Sequence, residues 1–318
     1  MKAICHVGLP KTGSTSLQQY LAQNKTALAA DHIGYERFGE RLINQPEYLY
    51  LGLDRLGQTR GSDDFRWFHG ISDRAALAQR AHTVRDWLKQ KLSTSDAKTW
   101  IISSELLTVF FNTVDDIATL NAVLREFFDE VDYVIYVRRQ DHWLVSEYSE
   151  RLRNGLVDTL DQFLADVPPT DLSALVDMWV RTVGRSRVTV RAYGATSDFD
   201  LITDFFTAMN LTLPSPVKPV ANRALTQSGA QLLQRGNQVL MRLNLKSKMA
   251  RLWTRRALKL TAAKIGGAPI TCSADQREQI LSQVRASNHR MCHRYMPEHK
   301  DYFVGLEVGA SDAMIRAA

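Results

Sequence analysis

The segment His6-Val7-Gly8-Leu9-Pro10-Lys11-Thr12-Gly13-Ser14-Thr15-Ser16-Leu17-Gln18 concentrates residue types that could do chemistry. Two glycines, one lysine and the hydroxyls of Thr12, Ser14, Thr15 and Ser16 lie between an apolar stretch and a helical pattern. A glycine-bearing turn at a strand-to-helix junction gathers backbone N–H groups at one point, and the positive end of the helix adds potential there, which suits a phosphate. Gly8, Gly13 and Thr15 match the spacing of the nucleotide-triphosphate loop G-x-x-x-x-G-K-[ST], but Ser14 stands at its lysine position. The lysine comes three residues earlier, at Lys11, so its charge approaches a phosphate from another side. Thr15-Ser16-Leu17-Gln18 fits a capping box and predicts a helix beginning at Ser16. The competing reading is an ordinary strand-to-helix turn.

A second constellation is Tyr136-Val137-Arg138-Arg139, with Ser146 eight residues beyond Arg138. An arginine at the carboxyl end of a central strand sits where open α/β sheets place ligands, and a guanidinium fork plus a hydroxyl suits a phosphate monoester. An ion pair for Arg138 and a solvated Ser146 would explain the same residues. A third candidate, Glu105, follows the apolar run Ile101-Ile102-Ser103-Ser104 and is a carboxylate available as a general base. His6 and His142 are its rivals, and a helix-capping or ion-paired Glu105 is the structural alternative.

Four short apolar segments, Ala3–Gly8, Thr99–Ser103, Asp132–Val137 and Arg187–Ala192, read as the strands that carry these groups. Helical spacing is found over Ser16–Ala30, Ala75–Leu92, Val114–Phe128, Gln140–Arg153 and Leu172–Val183. The alternation predicts an α/β fold, a P-loop-type parallel sheet flanked by helices, with a helical C-terminal region. Residues 31–70 exceed one helix and predict an insertion near the substrate. Leu213-Pro214-Ser215-Pro216-Val217-Lys218-Pro219 breaks the pattern. One domain over residues 1–318 is expected, with its core over about 1–212 and a basic helical region over about 220–300.

A chain of 318 residues, 45% apolar and 23% charged, can bury a large core without covalent staples. Cys5, Cys272 and Cys292 lack metal-ligand spacing and read as reduced thiols, which points to the cytoplasm, no disulfide and no metal. No stretch is long and apolar enough for a membrane span. Net charge is +6, yet no Asp or Glu occurs between Phe205 and Ala274, where eleven Lys and Arg stand. The stretch Leu245–Leu260 reads as a basic helix with an imperfect apolar face, and three readings stand for it: an anionic acceptor site, peripheral contact with lipid headgroups, or a solvated face. No nucleic-acid motif is present.

The loop Pro10-Lys11-Thr12-Gly13-Ser14-Thr15-Ser16-Leu17 and the Arg138–Ser146 spacing together resemble the PAPS-dependent sulfotransferases, particularly bacterial and carbohydrate-type members. The resemblance covers mainly residues 1–210. It implies that Lys11, Thr12, Gly13, Ser14, Thr15 and Ser16 hold the 5′-phosphosulfate of 3′-phosphoadenosine 5′-phosphosulfate (PAPS), and that Arg138 and Ser146 hold its 3′-phosphate. The family often has Asn-Pro where this chain has Arg139-Gln140; the eight-residue spacing selects Arg138, with Arg139 as its neighbour and alternative. Glu105 matches the family's general base, and Lys11 would act in catalysis on the leaving phosphate. Asn222 and Arg223 resemble part of a loop that closes over the donor, and Asn288-His289-Arg290 is a further, weaker similarity. The implied reaction moves a sulfuryl group to a hydroxyl or amine of a carbohydrate-like or small acceptor and leaves adenosine 3′,5′-bisphosphate (PAP). The alternatives are a P-loop kinase using ATP, which would need a lysine at Ser14, and a non-enzymatic protein binding polyanions or membranes.

Overall fold

The computed structural model describes residues 1–39, 42–217, 224–243 and 248–305. In chain order the elements are β1 Lys2–His6, α1 Ser14–Gln23, α2 Lys25–Ala30, β2 Ile33–Gly34, α3 Glu47–Leu56, α4 Asp63–His69, α5 Arg74–Ser93, β3 Thr99–Ser103, α6 Leu106–Phe110, α7 Val114–Arg125 and β4 Glu130–Val137. They continue with α8 Gln140–Arg153, α9 Leu160–Asp166, α10 Leu172–Val183, β5 Val188–Ala192, α11 Leu201–Ala208, α12 Gln227–Leu243, α13 Lys248–Lys264, α14 Ala274–Tyr295 and α15 Lys300–Val304. Two compact units result. One comprises the described residues of Met1–Val137, Leu172–Tyr193 and Asp200–Lys218, the other those of Arg138–Asp171, Gly194–Phe199 and Pro219–Ala318.

The first unit is built on a five-stranded parallel sheet in the order β2-β3-β1-β4-β5. Helices flank it, as the alternating pattern predicts. Strands β3 and β4 pair with β1 from opposite sides, so the chain's winding reverses at β1. In open α/β sheets that switch point leaves a crevice outside the strand's carboxyl end, where ligands bind. The turn singled out above follows β1 directly.

The core follows from the apolar strands. Tyr133, Val134, Ile135, Tyr136 and Val137 are all buried, as expected for a strand covered on both faces. Leu77, Ala81, Val84 and Leu88 are the buried stripe of α5, and Ile117, Leu120, Val123 and Leu124 that of α7. Strand β2 is too short to read from sequence. Its Gly34 lies against the Trp100 ring, which a Cβ would approach to 2.2 Å, and the Trp100 indole donates to Tyr48 Oη at 2.9 Å.

Two local expectations fail. The capping box does not form: α1 begins at Ser14, with Gly13 in the left-handed region (φ 77°) at its start and no side-chain cap. The single helix over Ser16–Ala30 is two, parted at Asn24, whose backbone N–H and side-chain amide both return to Tyr20 O. An asparagine side chain that binds its own backbone competes with helix continuation.

The second unit is helical. Leu144, Tyr148 and Leu152 of α8 pack with Phe163, Leu225, Leu233, Ala262 and Ile280 in one buried cluster. Asn237 Nδ2 donates to Leu152 O at 2.7 Å and Leu156 O at 2.8 Å, satisfying carbonyls where α8 ends. Ser273 and Gln276 form a true capping box on α14.

Candidate active site

The turn after β1 is shaped by two left-handed residues, Lys11 at φ 69° and Gly13 at φ 77°. Glycine adopts that conformation freely, whereas a side chain there costs roughly 1–2 kcal/mol. Backbone strain of this kind is found most often at functional sites, and here it falls on Lys11. Thr12 is buried and donates to Leu9 O at 2.6 Å, closing the turn on itself. Ser16 N–H bonds Gly13 O at 2.9 Å, while the N–H groups of Ser14 and Thr15 fall in the first helical turn, which lacks intrahelical acceptors for them. Thr15 is exposed and Ser16 half-buried.

Ser14 is 6% exposed, yet its Oγ has no hydrogen-bond partner. Its neighbours explain why the loop needs Gly8: a Cβ there would stand 2.7 Å from Ser14 Oγ and 2.9 Å from His6 Nε2. At Gly13 a Cβ would stand 2.8 Å from Leu201 Cδ2 and 3.1 Å from Tyr193 Cε2. The turn is thus packed closely enough that only glycine fits at either position. An orphaned buried hydroxyl, helix-start amides and a lysine are a fit cradle for a phosphate or sulfate ester oxygen.

Glu105 lies at the same sheet edge, just past β3. Gln18 Nε2, from α1, donates to Glu105 Oε2 at 3.0 Å and to Ser103 O at 3.2 Å. Thr108 Oγ1 donates to Gly8 O at 2.9 Å, and Ser104 N to His6 O at 3.1 Å, tying the β3 end to the turn after β1. Glu105 is half-buried, stands at the start of α6 and makes no side-chain cap there. Its carboxylate is therefore held by an amide rather than spent on a helix end.

His6 is less suited to the base role. It is fully buried, shares a hydrogen bond with Ser103 Oγ at 2.9 Å through Nδ1, and burial pushes its pKa down to about 4. Its Nε2 has no partner, and Ser104 Oγ is a second buried, unpartnered atom on the β3 side of the turn.

Residues from the long first connection reach this edge as well. Gln45 Oε1 accepts from Ser103 N at 2.5 Å. Glu47 is fully buried, with Oε1 accepting from Phe38 N at 3.3 Å and Oε2 unpartnered. Burial pushes Glu47 up to about 8 against the opposing pull of backbone hydrogen bonds and Arg37. Tyr35 has a buried, unpartnered hydroxyl within electrostatic reach of Arg37, Glu47 and Glu105. None of Gln18, Gln45, Tyr35 or Glu47 was marked by spacing. In sequence Gln18 reads only as the last residue of a capping box.

Arg138 and Ser146 belong to the second unit. Arg138 directly follows Val137, the last residue of β4; both it and Ser146, on α8, are half-buried. The structure separates Arg138 from Arg139. Arg139 is 2% exposed and forks onto Asp141, Nε to Oδ1 at 2.8 Å and Nη2 to Oδ2 at 3.0 Å. It also donates to Tyr302 O at 3.1 Å and lies 4.8 Å from the Tyr302 ring centre. Burial raises the Asp141 carboxyl, but the Arg139 fork and adjacent charges outweigh it and hold the group below its usual value. Arg139 is thus committed to a buried ion pair.

His142 joins the same network, contacting Arg139 Nη2 at 3.1 Å and Tyr302 Oη at 3.2 Å; burial pushes it down to about 4. Asn288 is a buried partner of Gln140, each amide donating to the other, at 2.9 and 2.7 Å. Asn222 and Arg223 lie outside the described residues.

The sequence matches no protein-family model and no curated protein. Among solved structures it is similar to the crystal structure of a sulfotransferase from Alicyclobacillus acidocaldarius, at 12% identity over 96% of each chain with a TM-score of 0.45. At that identity and score the likeness carries no weight for function.

Proposed function

We propose that this protein is a sulfotransferase that transfers a sulfuryl group from PAPS to a hydroxyl or amine of a carbohydrate-like or small acceptor. The observation that carries the reading is the turn after β1, where the buried, unpartnered Ser14 hydroxyl and strained Lys11 stand beside a carboxylate held by Gln18. A phosphate cradle with no lysine at position 14, next to an oriented carboxylate, suits a reaction that needs a leaving phosphate stabilised and an acceptor proton removed.

The donor supplies an activated sulfuryl group on a phosphate leaving group. In this reading Lys11, the first-turn amides, and the hydroxyls of Ser14, Thr15 and Ser16 bind the 5′-phosphosulfate and offset charge building on the departing oxygen. Thr12 and Gly13 set the turn's shape. Glu105 accepts the acceptor's proton, and Gln18 fixes which carboxylate oxygen is free to do so. Arg138 and Ser146 bind the 3′-phosphate, which distinguishes PAPS from ATP. Support for Arg138 over Arg139 is that Arg139 is consumed by Asp141 and Tyr302. Asn222 and Arg223 would close over the donor. The segment bearing Tyr35, Gln45 and Glu47 is the acceptor side. A cytoplasmic location fits the reduced reading of the three cysteines.

The test is transfer of radiolabelled sulfuryl from PAPS to a panel of sugar and small-molecule hydroxyls and amines. Wild type should label an acceptor. Glu105→Gln should bind donor as tightly and transfer on the order of a hundredfold more slowly or worse. Full activity of Glu105→Gln would remove Glu105 from the mechanism.

A further inference from the structure

Helices α12 and α13 pack against each other in the second unit, and their outward faces are unlike the rest of the chain. On α12, Leu233 and Asn237 face inward, buried among the residues of α8 and its neighbours. Arg235, Val239 and Arg242, at i, i+4 and i+7, fall on the opposite side and are exposed. On α13, Leu258 packs on Gly236, and Ala262 is buried against Gly229. Trp253, Arg256 and Leu260, at i, i+3 and i+7, fall on its opposite side and are exposed.

Val239 is 51% exposed, Trp253 61% and Leu260 58%, with Met241 and Leu243 exposed at the end of α12. Apolar side chains gathered on one exposed face, unlike ones scattered singly, mark an interaction surface. Among the described residues no ion pair involves Arg235, Arg242 or Arg256, and no Asp or Glu occurs anywhere between Phe205 and Ala274. The Arg256 guanidinium lies 5.9 Å from the Trp253 ring centre, which presents a cation and an indole together.

We propose that this basic, apolar face docks the protein on an anionic lipid bilayer, lying in the headgroup plane. Each cation is attracted by anionic headgroups, and Trp253, Leu260 and Val239 enter the acyl boundary. The indole, apolar with one polar N–H, is suited to that boundary. Charge selects this partner over a second copy, because a symmetric contact of this face would bring the cations Arg235, Arg242 and Arg256 together with no acid supplied by α12 or α13 to answer them. The apolar insertions select it over nucleic acid, whose backbone needs the cations alone. Docking is independent of the proposed transfer chemistry.

The experiment is flotation of the full chain with vesicles of phosphatidylcholine alone and with a third phosphatidylglycerol, read together with tryptophan emission. Binding is expected only with the anionic vesicles, with a blue shift that Trp253→Phe removes and a loss of binding at high salt. Val239→Ser/Leu260→Ser and, separately, Arg235→Glu/Arg256→Glu should each weaken binding at least tenfold. These positions are exposed, so folding, checked by circular dichroism, should hold. No flotation with anionic vesicles, equal flotation with neutral ones, or undiminished binding by both variants would overturn the proposal. Binding to RNA without vesicles, or dimerisation that Trp253→Ser abolishes while vesicles are ignored, would overturn it in favour of those partners.

Discussion

Gln18 holds Glu105 in place, its side-chain amide donating 3.0 Å to Glu105 Oε2 while also reaching Ser103 O at 3.2 Å. Helix α1, which opens at the turn after β1, thereby fixes the carboxylate at the end of β3, the strand paired with β1, so the proposed donor cradle and the proposed base are one assembly. Gln18→Met should keep PAP affinity within a factor of two or so, and lower the transfer rate about tenfold by freeing the carboxylate to rotate. Single-turnover kinetics beside calorimetric binding would separate the two. A parallel loss of PAP affinity would mean that Gln18 supports the turn instead.

Lys11 separates stability from function. Its left-handed backbone costs roughly 1–2 kcal/mol, which glycine would relieve. Lys11→Gly is expected to leave the melting temperature unchanged or slightly raised and to weaken PAP binding at least tenfold. Gly13→Ala is its converse. The added Cβ meets Leu201 and Tyr193 at a positive φ, so stability should fall by about 1–3 kcal/mol along with binding.

Arg138 and Arg139 should respond in opposite ways. Arg139→Ala leaves Asp141 buried without its fork and should cost about 3–5 kcal/mol in chemical denaturation. Arg138→Ala, at a half-buried position, should cost less stability than that. Equal destabilisation by both would argue against a binding role for Arg138.

Stability should depend on pH through Glu47. Its native pKa, pushed to about 8 by burial, lies above the unfolded value, so the native state holds the proton more tightly. That contribution is complete below the unfolded pKa and is lost as pH rises toward 8. His6 and His142, both pushed down to about 4, act oppositely and only on acidification below about 6.5. Between pH 6.5 and 8 wild type should therefore lose stability, by up to about 1.4 kcal/mol per pH unit, and Glu47→Gln should lose this slope. An identical slope in the variant would show that Glu47 is ionised in the folded protein.

The sheet was legible because buried parallel strands are written as short apolar runs. Thr99–Ser103, Gln140–Arg153 and Leu172–Val183 fall where periodicity put them. Strand β2 was not, since two residues carry no periodicity. The capping box failed for a physical reason: Gly13 can adopt a left-handed start that Thr15 would disfavour, and this frees Gln18 to serve Glu105. The turn bearing Lys11 and Gly13, and Glu105, are visible in sequence as residue types at strand ends. The polar atoms of Tyr35, Gln45 and Glu47 were not, because a long connection folds back with no local pattern to announce where its side chains go. Arg139 was separated from Arg138 only by Asp141 and Tyr302, the latter distant in sequence.

The proposed sulfuryl transfer requires a nucleotide that carries both a 5′- and a 3′-phosphate, and it assigns Lys11 and Arg138 to its binding. Calorimetric titration of wild type and Arg138→Ala with PAP and with ATP-magnesium tests it directly. Wild type should bind PAP tightly and ATP-magnesium weakly, and Arg138→Ala should lose at least tenfold in PAP affinity. A preference for ATP-magnesium, or PAP affinity untouched by the substitution, would contradict it.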